Sequence, residues 1–579
     1  MRGWLEEWKA RLRPDRARVP VFYDASYRLP FLGLEASTGI EPRRVDFTTW
    51  YLLETGVVRP AQVYRPLPVS YAQLARVHEA SYLKALSRPE TLARIFAVEP
   101  SDVAVDALLD TLRRVCGGTL EATRLALAQG RAVANMAGGF HHAAPGRGGG
   151  FCALNDIAVA LAEARAQGFE GQVVVVDLDA HPPDGTAECV AGDAKVWVGS
   201  LSGSDWGPPP GVDEVLLPRG CGDAEYLAAL EALLGRMPRA ELAFVIAGGD
   251  VLRGDRFGLM GLSLEGARAR DRVVARALRR VPSVWLPGGG YHEEAWKVFA
   301  GSVLALGGRG HRPIEARFDP LSARFQRISR MLAPEAYSDW EPITQEDLEG
   351  ALGHGLPLQE RVLGHYTAQA LEYALYRYGL LTHLERLGYQ RLRVEVGSTG
   401  AGDRTQLLGQ ADGQEHLLVD CVMERRRLGE EDYLFVNWLA LRHPRARFSA
   451  VRPKLPGQDV PGLGLSREAV EVLIRMAERL KLAGVAFRPM WYHLAVVASA
   501  RLRFLEPARQ GRFEALRRDL AHLPMLEATR RVAEGRVLLN GQPYAWEAAD
   551  MVSSHAPRTE DSEAIAAERE CCHFTVAGA

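Results

Sequence analysis

The stretch VVVVDLDAHPPDG, residues 173–185, decides the fold. Four consecutive valines make a buried strand, and the run then ends in three evenly spaced polar side chains, Asp177, Asp179 and His181. Successive side chains of an extended strand alternate faces, so residues two apart project to one side where the strand ends. Ligands of open α/β sheets bind beyond the carboxyl ends of the strands. Asp-x-His at such a place offers a borderline-soft cation such as Zn²⁺ one oxygen and one nitrogen, with room for a third protein ligand and a water. Carboxylates at strand ends also serve as helix caps and loop anchors, and this stretch alone leaves both readings open.

Outward from that strand, from residue 19 to about 306, short apolar runs alternate with helix-length stretches. This is the pattern of an α/β domain with a mainly parallel sheet flanked by helices. The spacing predicts strands at 132–136, 172–176, 196–198, 242–246 and 284–286, and helices at 108–129, 157–167, 223–236 and 265–279. The glycine-rich run at 307–313 ends the pattern, which places a first domain at residues 1–310. A helical linker region is expected at 311–388, with helices at 321–332 and 359–387 and a cap at Thr344. A second, α+β domain follows at 389–552, with strands near 391–396, 416–423 and 433–439. The polar residues 553–579 carry few apolar anchors and are expected to be a disordered tail.

A chain of 579 residues is too long for one hydrophobic core, in agreement with this division. With 47% hydrophobic and 25% charged residues, the composition is that of an ordinary soluble globular protein. Lys and Arg number 70 against 72 Asp and Glu, so no whole-chain field draws the protein to nucleic acid or an anionic membrane. The seven cysteines are scattered except for Cys571 and Cys572, which argues for a reducing compartment. The first twenty residues, charged throughout, hold neither a signal-peptide core nor a membrane span. A cytoplasmic protein is the resulting expectation.

Three further pieces bear on the metal reading. In AGGFHHAAPGRGGGFC, residues 137–152, His141 and His142 follow the predicted strand 132–136. Adjacent imidazoles can be structural, but an imidazole beside a carboxylate is also how a general base is tuned. AFVIAGGD, residues 243–250, is another oily strand ending in an acid, and Asp250 could complete a set with Asp179 and His181. SVWLPGGGY, residues 283–291, runs into three glycines and puts the Tyr291 phenol at the same sheet edge. That phenol either packs its ring or donates a hydrogen bond to a developing oxyanion.

These pieces, in this order, resemble the zinc-dependent histone deacetylases with their arginase-deacetylase fold, over about residues 19–306. The closest likeness is to class IV deacetylases, through YRLPFLGLE (27–35), LARVHEASYLKAL (74–86), GGFHHAAPGRGGGFCALNDIAVA (138–160), DLDAH (177–181) and AGGDVLRGDRFGLMGLS (247–263). The resemblance implies a Zn²⁺ held by Asp179, His181 and Asp250, and a structural monovalent cation such as K⁺. It implies that His141 and His142 are the tandem histidines oriented by Asp177 and Asp184. Tyr291 matches the carbonyl-polarising tyrosine, and Gly150 with Phe151 matches a wall of the acyl-lysine tunnel, with Cys152 packed beneath it. The implied reaction is hydrolysis of an acyl-lysine of a protein, or of a similar acylated amine, by water that His142 deprotonates. Acetylpolyamine hydrolysis is the same chemistry on another partner, and a catalytically weak acyl-lysine binding module is the alternative from a different class.

The chain departs from the family pattern at Pro182-Pro183, where a His or Gln followed by Gly is usual. Both backbone N–H donors are lost there. The departure puts the aim of Asp184 at His142 in question. In the second domain, KLPGQDVPGLGLS (454–466) sets a Gly/Pro loop before an amphipathic helix. It weakly resembles the acyl-CoA loop of GNAT acyltransferases, with Gln458, Gly462 and Gly464 as the implied cofactor contacts. Val460-Pro461 lengthens the usual spacing by one residue and removes a donor. The plain alternative is a connection in a helper domain.

Overall fold

The structure is a computed structural model that describes residues 19–31, 41–314, 318–332, 360–449, 452–553 and 559–577. The cap expected at Thr344 and the end of YRLPFLGLE lie outside the described residues. The chain divides into two compact units, Met1–Ala323 and Arg324–Ala579. Among the described residues no helix is long and apolar enough to cross a membrane.

The first unit is built on eight strands: β1 (Val21–Phe22), β2 (Val63–Tyr64), β3 (Ala132–Asn135), β4 (Val173–Asp177), β5 (Val196–Ser202), β6 (Val212–Leu216), β7 (Leu242–Ile246) and β8 (Ser283–Leu286). They form one sheet in the order β2-β1-β3-β8-β7-β4-β5-β6, and every pairing is parallel. Every residue of β4 and β7 is buried, as strands covered on both faces by crossover helices must be. The helices are stopped and started by local chemistry. Val105–Gln129 ends at Gly130, which takes the left-handed conformation at φ 61°. Asp156–Ala166 begins where the Asn155 side chain accepts the N–H of Ala158, and Leu264–Ala277 begins where Ser263 does the same for Gly266. The predicted strands and helices of this unit stand within a few residues of their expected bounds. The strands β1 and β2, two residues each, carry too little periodicity to be read.

In the second unit the strands are β9 (Gln390–Thr399), β10 (Gly402–Ala411), β11 (Gln414–Leu428), β12 (Glu431–Leu441), β13 (Val485–Phe487), β14 (Leu502–Phe504), β15 (Val537–Leu539), β16 (Gln542–Tyr544), β17 (Met551–Ser553) and β18 (Phe574–Val576). Seven of them form a sheet in the order β14-β17-β13-β12-β11-β10-β9, antiparallel except where β12 runs parallel to β13. The strand β10 was not expected. Its buried side offers only Leu407, Gly409 and Ala411 after Asp403 and Thr405, too little apolar signal to read, but it pairs with β9 and β11 along most of its length. Helices Ala368–Arg377 and Leu380–Arg386, expected in a linker, pack against β9 with Leu371 and Leu384 buried, so this segment belongs to the second unit.

The expected disordered tail is corrected by the structure. Helix Thr559–Cys571 packs along Pro507–Asp519, and β18 pairs with β15. Two anchors suffice: Cys572 and Phe574 are buried in a core cluster with Phe513 and Val537. Close approach replaces large side chains, since a Cβ on Gly511 would lie 2.4 Å from the Ile565 carbonyl oxygen. A composition count misses such contacts.

One buried histidine gives this unit a pH-dependent stability. The Tyr389 hydroxyl lies 2.6 Å from His443 Nδ1. Burial first, then the charges of Arg452, Arg445 and His416, lower the His443 pKa to about 3. The folded state therefore binds this proton less readily than the unfolded chain, whose histidine titrates near about 6.5. The contribution is present above about pH 6.5 and is lost as pH falls toward about 3, amounting to about 2 kcal/mol between pH 7 and pH 5. Urea unfolding of the second unit at these two pH values should show that loss, and His443→Gln should remove most of it.

Candidate active site

The central strands β3, β8, β7 and β4 lie side by side, and the segments leaving their carboxyl ends supply the polar residues. Asp177 ends β4, while Asp179 and His181 lie in the turn after it. One donor atom from each of Asp179, His181 and Asp250 falls within 4.8 Å of the others. His181 Nδ1 sits 3.1 Å from Asp179 Oδ1 and 3.0 Å from Asp250 Oδ2. Two buried carboxylates and one imidazole nitrogen that converge on one point are a donor set suited to a divalent metal. The third of the three, Asp250, is drawn up to about 8 by burial and by the charge of Asp179.

The tandem histidines stand beside that cluster with ring centroids 4.0 Å apart. Each is held by its own acid: His141 Nδ1 is 2.8 Å from Asp177 Oδ2, and His142 Nδ1 is 2.7 Å from Asp184 Oδ1. Their environments separate their proton affinities. Burial opposes a charge on His141, but Asp177 and Asp179 outweigh it and raise the pKa to about 9. His142 is lowered to about 4, by burial and then by the neighbouring His141, against the pull of Asp184. The two rings thus differ in proton affinity, His141 favouring its charged form and His142 its neutral form with Nδ1 tied to Asp184.

Close packing fixes this geometry at two glycines. Gly150 takes φ 53°, and a Cβ there would lie 2.4 Å from His142 Cδ2. A Cβ on Gly289 would lie 2.8 Å from Asp179 Oδ2 and equally close to Asp250 Oδ2. The Gly289 N–H instead donates to Asp179 Oδ2 at 2.6 Å, which ties the tyrosine loop to the acids. Tyr291 and Phe151 line the same cavity as His141, His142, Asp179 and His181, with the Tyr291 and Phe151 rings 5.6 Å apart. Burial first, then Asp179 and Asp250, holds the Tyr291 phenol well above its ordinary range, so it keeps its proton and can donate. Cys152 is buried beneath, its thiol directed at the Gly150 carbonyl.

Three contributors were not singled out in the sequence. Trp206, 59% exposed, places its ring 5.4 Å from His142 and 5.3 Å from His181. Its signal was legible, since a tryptophan among glycines and prolines follows the carboxyl end of β5. Arg44 donates to the carbonyls of Gly290 at 3.1 Å and Gly288 at 2.6 Å, and nothing local marks it. Phe257 meets Tyr291 edge-on at 4.7 Å.

The proline pair leaves the aim of Asp184 intact. Pro183 has φ −81° and ψ 57°, and the Asp184 N–H donates to the Pro182 carbonyl at 2.9 Å. This is an inverse γ-turn, whose φ proline supplies without strain. The turn feeds helix Asp184–Val190 and leaves the acid facing His142. For Gln458, Gly462 and Gly464 the picture is mixed. Gly464 takes φ 66° just before helix Ser466–Arg479, whereas Gln458 Oε1 accepts the N–H of Leu455 at 3.1 Å within its own loop. Replacing Pro182 by Gln and Pro183 by Gly should cost about 0.4–1 kcal/mol per position through added freedom of the unfolded chain, measured by denaturation.

Comparison with known proteins adds the following. The family profile described as Histone deacetylase domain matches residues 39–306. Histone deacetylase 2 of Arabidopsis thaliana is 31% identical over 310 residues, 51% of this chain and 80% of that protein. An uncharacterized protein of Picosynechococcus is 36% identical, covering 42% of this chain and 82% of its own. Histone deacetylase RPD3 of Saccharomyces cerevisiae is 28% identical over 48% of this chain and 69% of its own. Among solved structures, a histone deacetylase homologue from Aquifex aeolicus aligns at 22% identity with a TM-score of 0.42, over 53% of this chain and 87% of that one.

Proposed function

The chain belongs to the histone deacetylase family, and on that premise we propose that its first unit is a Zn²⁺-dependent deacylase of acyl-lysine side chains. One observation carries the reading. Two histidines of opposite charge preference, each held by its own carboxylate, flank a convergent Asp179, His181 and Asp250 set. Those three residues would hold the metal, which supplies Lewis-acid polarisation of the amide carbonyl and acidifies water. His142 Nε2 accepts a proton from the attacking water, while Asp184 fixes its ring and steadies the imidazolium that forms. The Tyr291 hydroxyl donates to the oxyanion, and His141, held between Asp177 and Asp179, keeps positive charge nearby. The His142 proton then passes to the departing amine as the C–N bond breaks. Phe151, Phe257 and Trp206 would wall the approach, with Gly150 giving His142 room. The intact Asp184–His142 bond favours turnover over a mere binding module. The buried Ser200 hydroxyl, in register with Asp177 and without a hydrogen-bond partner among the described residues, supports a monovalent cation such as K⁺ there.

Metal analysis and acyl-lysine peptide assays test this. Asp250→Ala should lose the metal that the parent chain carries. His142→Ala should keep it yet turn over on the order of 10²-fold more slowly. Tyr291→Phe should lower kcat much more than it changes KM. Undiminished metal in the Asp250 variant overturns the ligand set. Preference for acetylpolyamines over peptides would move the substrate to small amines, and the class IV likeness makes long acyl chains part of the same assay.

For the second unit we propose acyl-CoA binding at the loop holding Gln458, Gly462 and Gly464. Two observations favour it. The strand β12 pairs with β13 only through Leu434, Phe435 and Val436, which leaves residues 437–441 without a β13 partner. Helix Ser466–Arg479 begins just after the glycines with Leu465 at its N-cap, which has no capping oxygen, so the positive end of the helix dipole faces that loop. Acetyl-CoA titrated into the full chain should bind saturably and be lost in Gly464→Val. Absence of binding at millimolar ligand removes this reading.

A further inference from the structure

The loop that bears Tyr291 is gripped from two sides. Gly289 reaches Asp179, as described, while the other end meets Asp255, an acid only 9% exposed and outside the metal cluster. Asp255 Oδ2 accepts the N–H groups of Tyr291 at 2.7 Å and His292 at 2.9 Å. Its other oxygen, Oδ1, accepts those of Phe257 at 3.0 Å and Gly258 at 3.2 Å. An ordinary Asx turn accounts for Oδ1, because those donors are two and three residues ahead. It does not account for Oδ2, whose donors lie 36 and 37 residues away in sequence. One carboxylate therefore joins two loops whose aromatic rings, Phe257 and Tyr291, meet edge-on at 4.7 Å.

We propose that Asp255 is a positioning residue for the hydrolysis, a four-N–H clamp that holds the Tyr291 hydroxyl where the oxyanion forms and locks Phe257 to it as one wall. The inference rests on the deacylase reading for its effect on turnover, but not for the clamp itself. A phenol aids the reaction only if it stands within hydrogen-bond reach of the charge as it develops, and displacement of the order of 1 Å is costly. Tyr291 follows three glycines, two of which take positive φ, so its own chain does little to fix it. The side-chain geometry needs both carboxylate oxygens. An asparagine in the same place offers one acceptor and turns an NH₂ toward two N–H donors, so whichever way it lies one loop is released. Burial raises the pKa of the Asp255 carboxyl, and the four N–H groups that converge on it act in the opposite sense, toward the anion.

The test joins two measurements on the full chain. Hydrogen exchange of the Phe257, Gly258, Tyr291 and His292 amides should accelerate in Asp255→Ala at all four positions, and in Asp255→Asn at one pair, without change at the metal-site strands. In peptide deacylation, Asp255→Ala should lower kcat about tenfold or more with KM within about twofold. In a Tyr291→Phe background the same change should alter kcat less than about twofold, because the group it positions is already gone. Equal losses in both backgrounds, or a rise in KM with kcat intact, would overturn the positioning role. Unchanged exchange in both variants would overturn the clamp. If Asp255→Ala fails to fold, Asp255→Asn carries both measurements. If neither parent nor variant hydrolyses acyl-lysine, the deacylase reading fails, and the exchange data still decide the clamp.

Discussion

Asp177, Asp179 and Asp250 are almost wholly buried at the ends of strands that are themselves shielded from water. Charge stripped of water is tolerated only where each oxygen is engaged. The surroundings are arranged accordingly. Asp177 holds His141 and the N–H of Asp179, and Asp179 holds the N–H groups of His181 and Gly289. Asp250 holds the N–H of Ala180. These bonds cross between β4, β7 and the loop after β8, so the acids brace the sheet edge that carries them. Arg270, fully buried behind, donates to the carbonyls of Leu178 and Gly248 and fixes the backbone on either side of the acids. Between Asp179, His181 and Asp250 the donor atoms face one another within 4.8 Å, and that convergence of two acids and an imidazole is the physical case for a cation.

The same accounting separates the two histidines. They are neighbours in sequence and nearly so in space, and each touches one acid, yet only His141 has a second carboxylate, Asp179, 3.6 Å from its other nitrogen. The acids favour the charged form of one ring, while burial first and then that neighbouring charge favour the neutral form of the other. A pair of titratable groups pushed apart in this way can offer a base and a fixed cation at one pH, which neither could do alone in water.

Much of this was legible because the chemistry sits where periodicity is strongest. The strands β3, β4, β7 and β8 announce themselves by apolar runs, and each is followed within a few residues by a side chain of the candidate site. The contributors that escaped notice are those whose function depends on distant partners. Arg44 acts on carbonyls some 240 residues away, and Asp255 joins loops that sequence leaves 36 residues apart. Short strands such as β1 pair through register rather than propensity, and the final helix is held by a few anchors and a glycine crossing. Local sequence records none of these, because their cause is tertiary.

The proline pair shows which constraints at such a site are strict. The acid at 184 must face His142, since without it the ring would lose its tautomer and its aim. The backbone that delivers the acid is less constrained, because it has only to turn once after His181 and start a helix. An inverse γ-turn at Pro183 does this with one bond, the Asp184 N–H to the Pro182 carbonyl, and asks for no N–H from either proline. Two residues that look disruptive in sequence therefore occupy positions where the turn asks for no N–H donor. The side chains at the sheet edge are held to a hydrogen-bond count, while the path between them is held only to its end points.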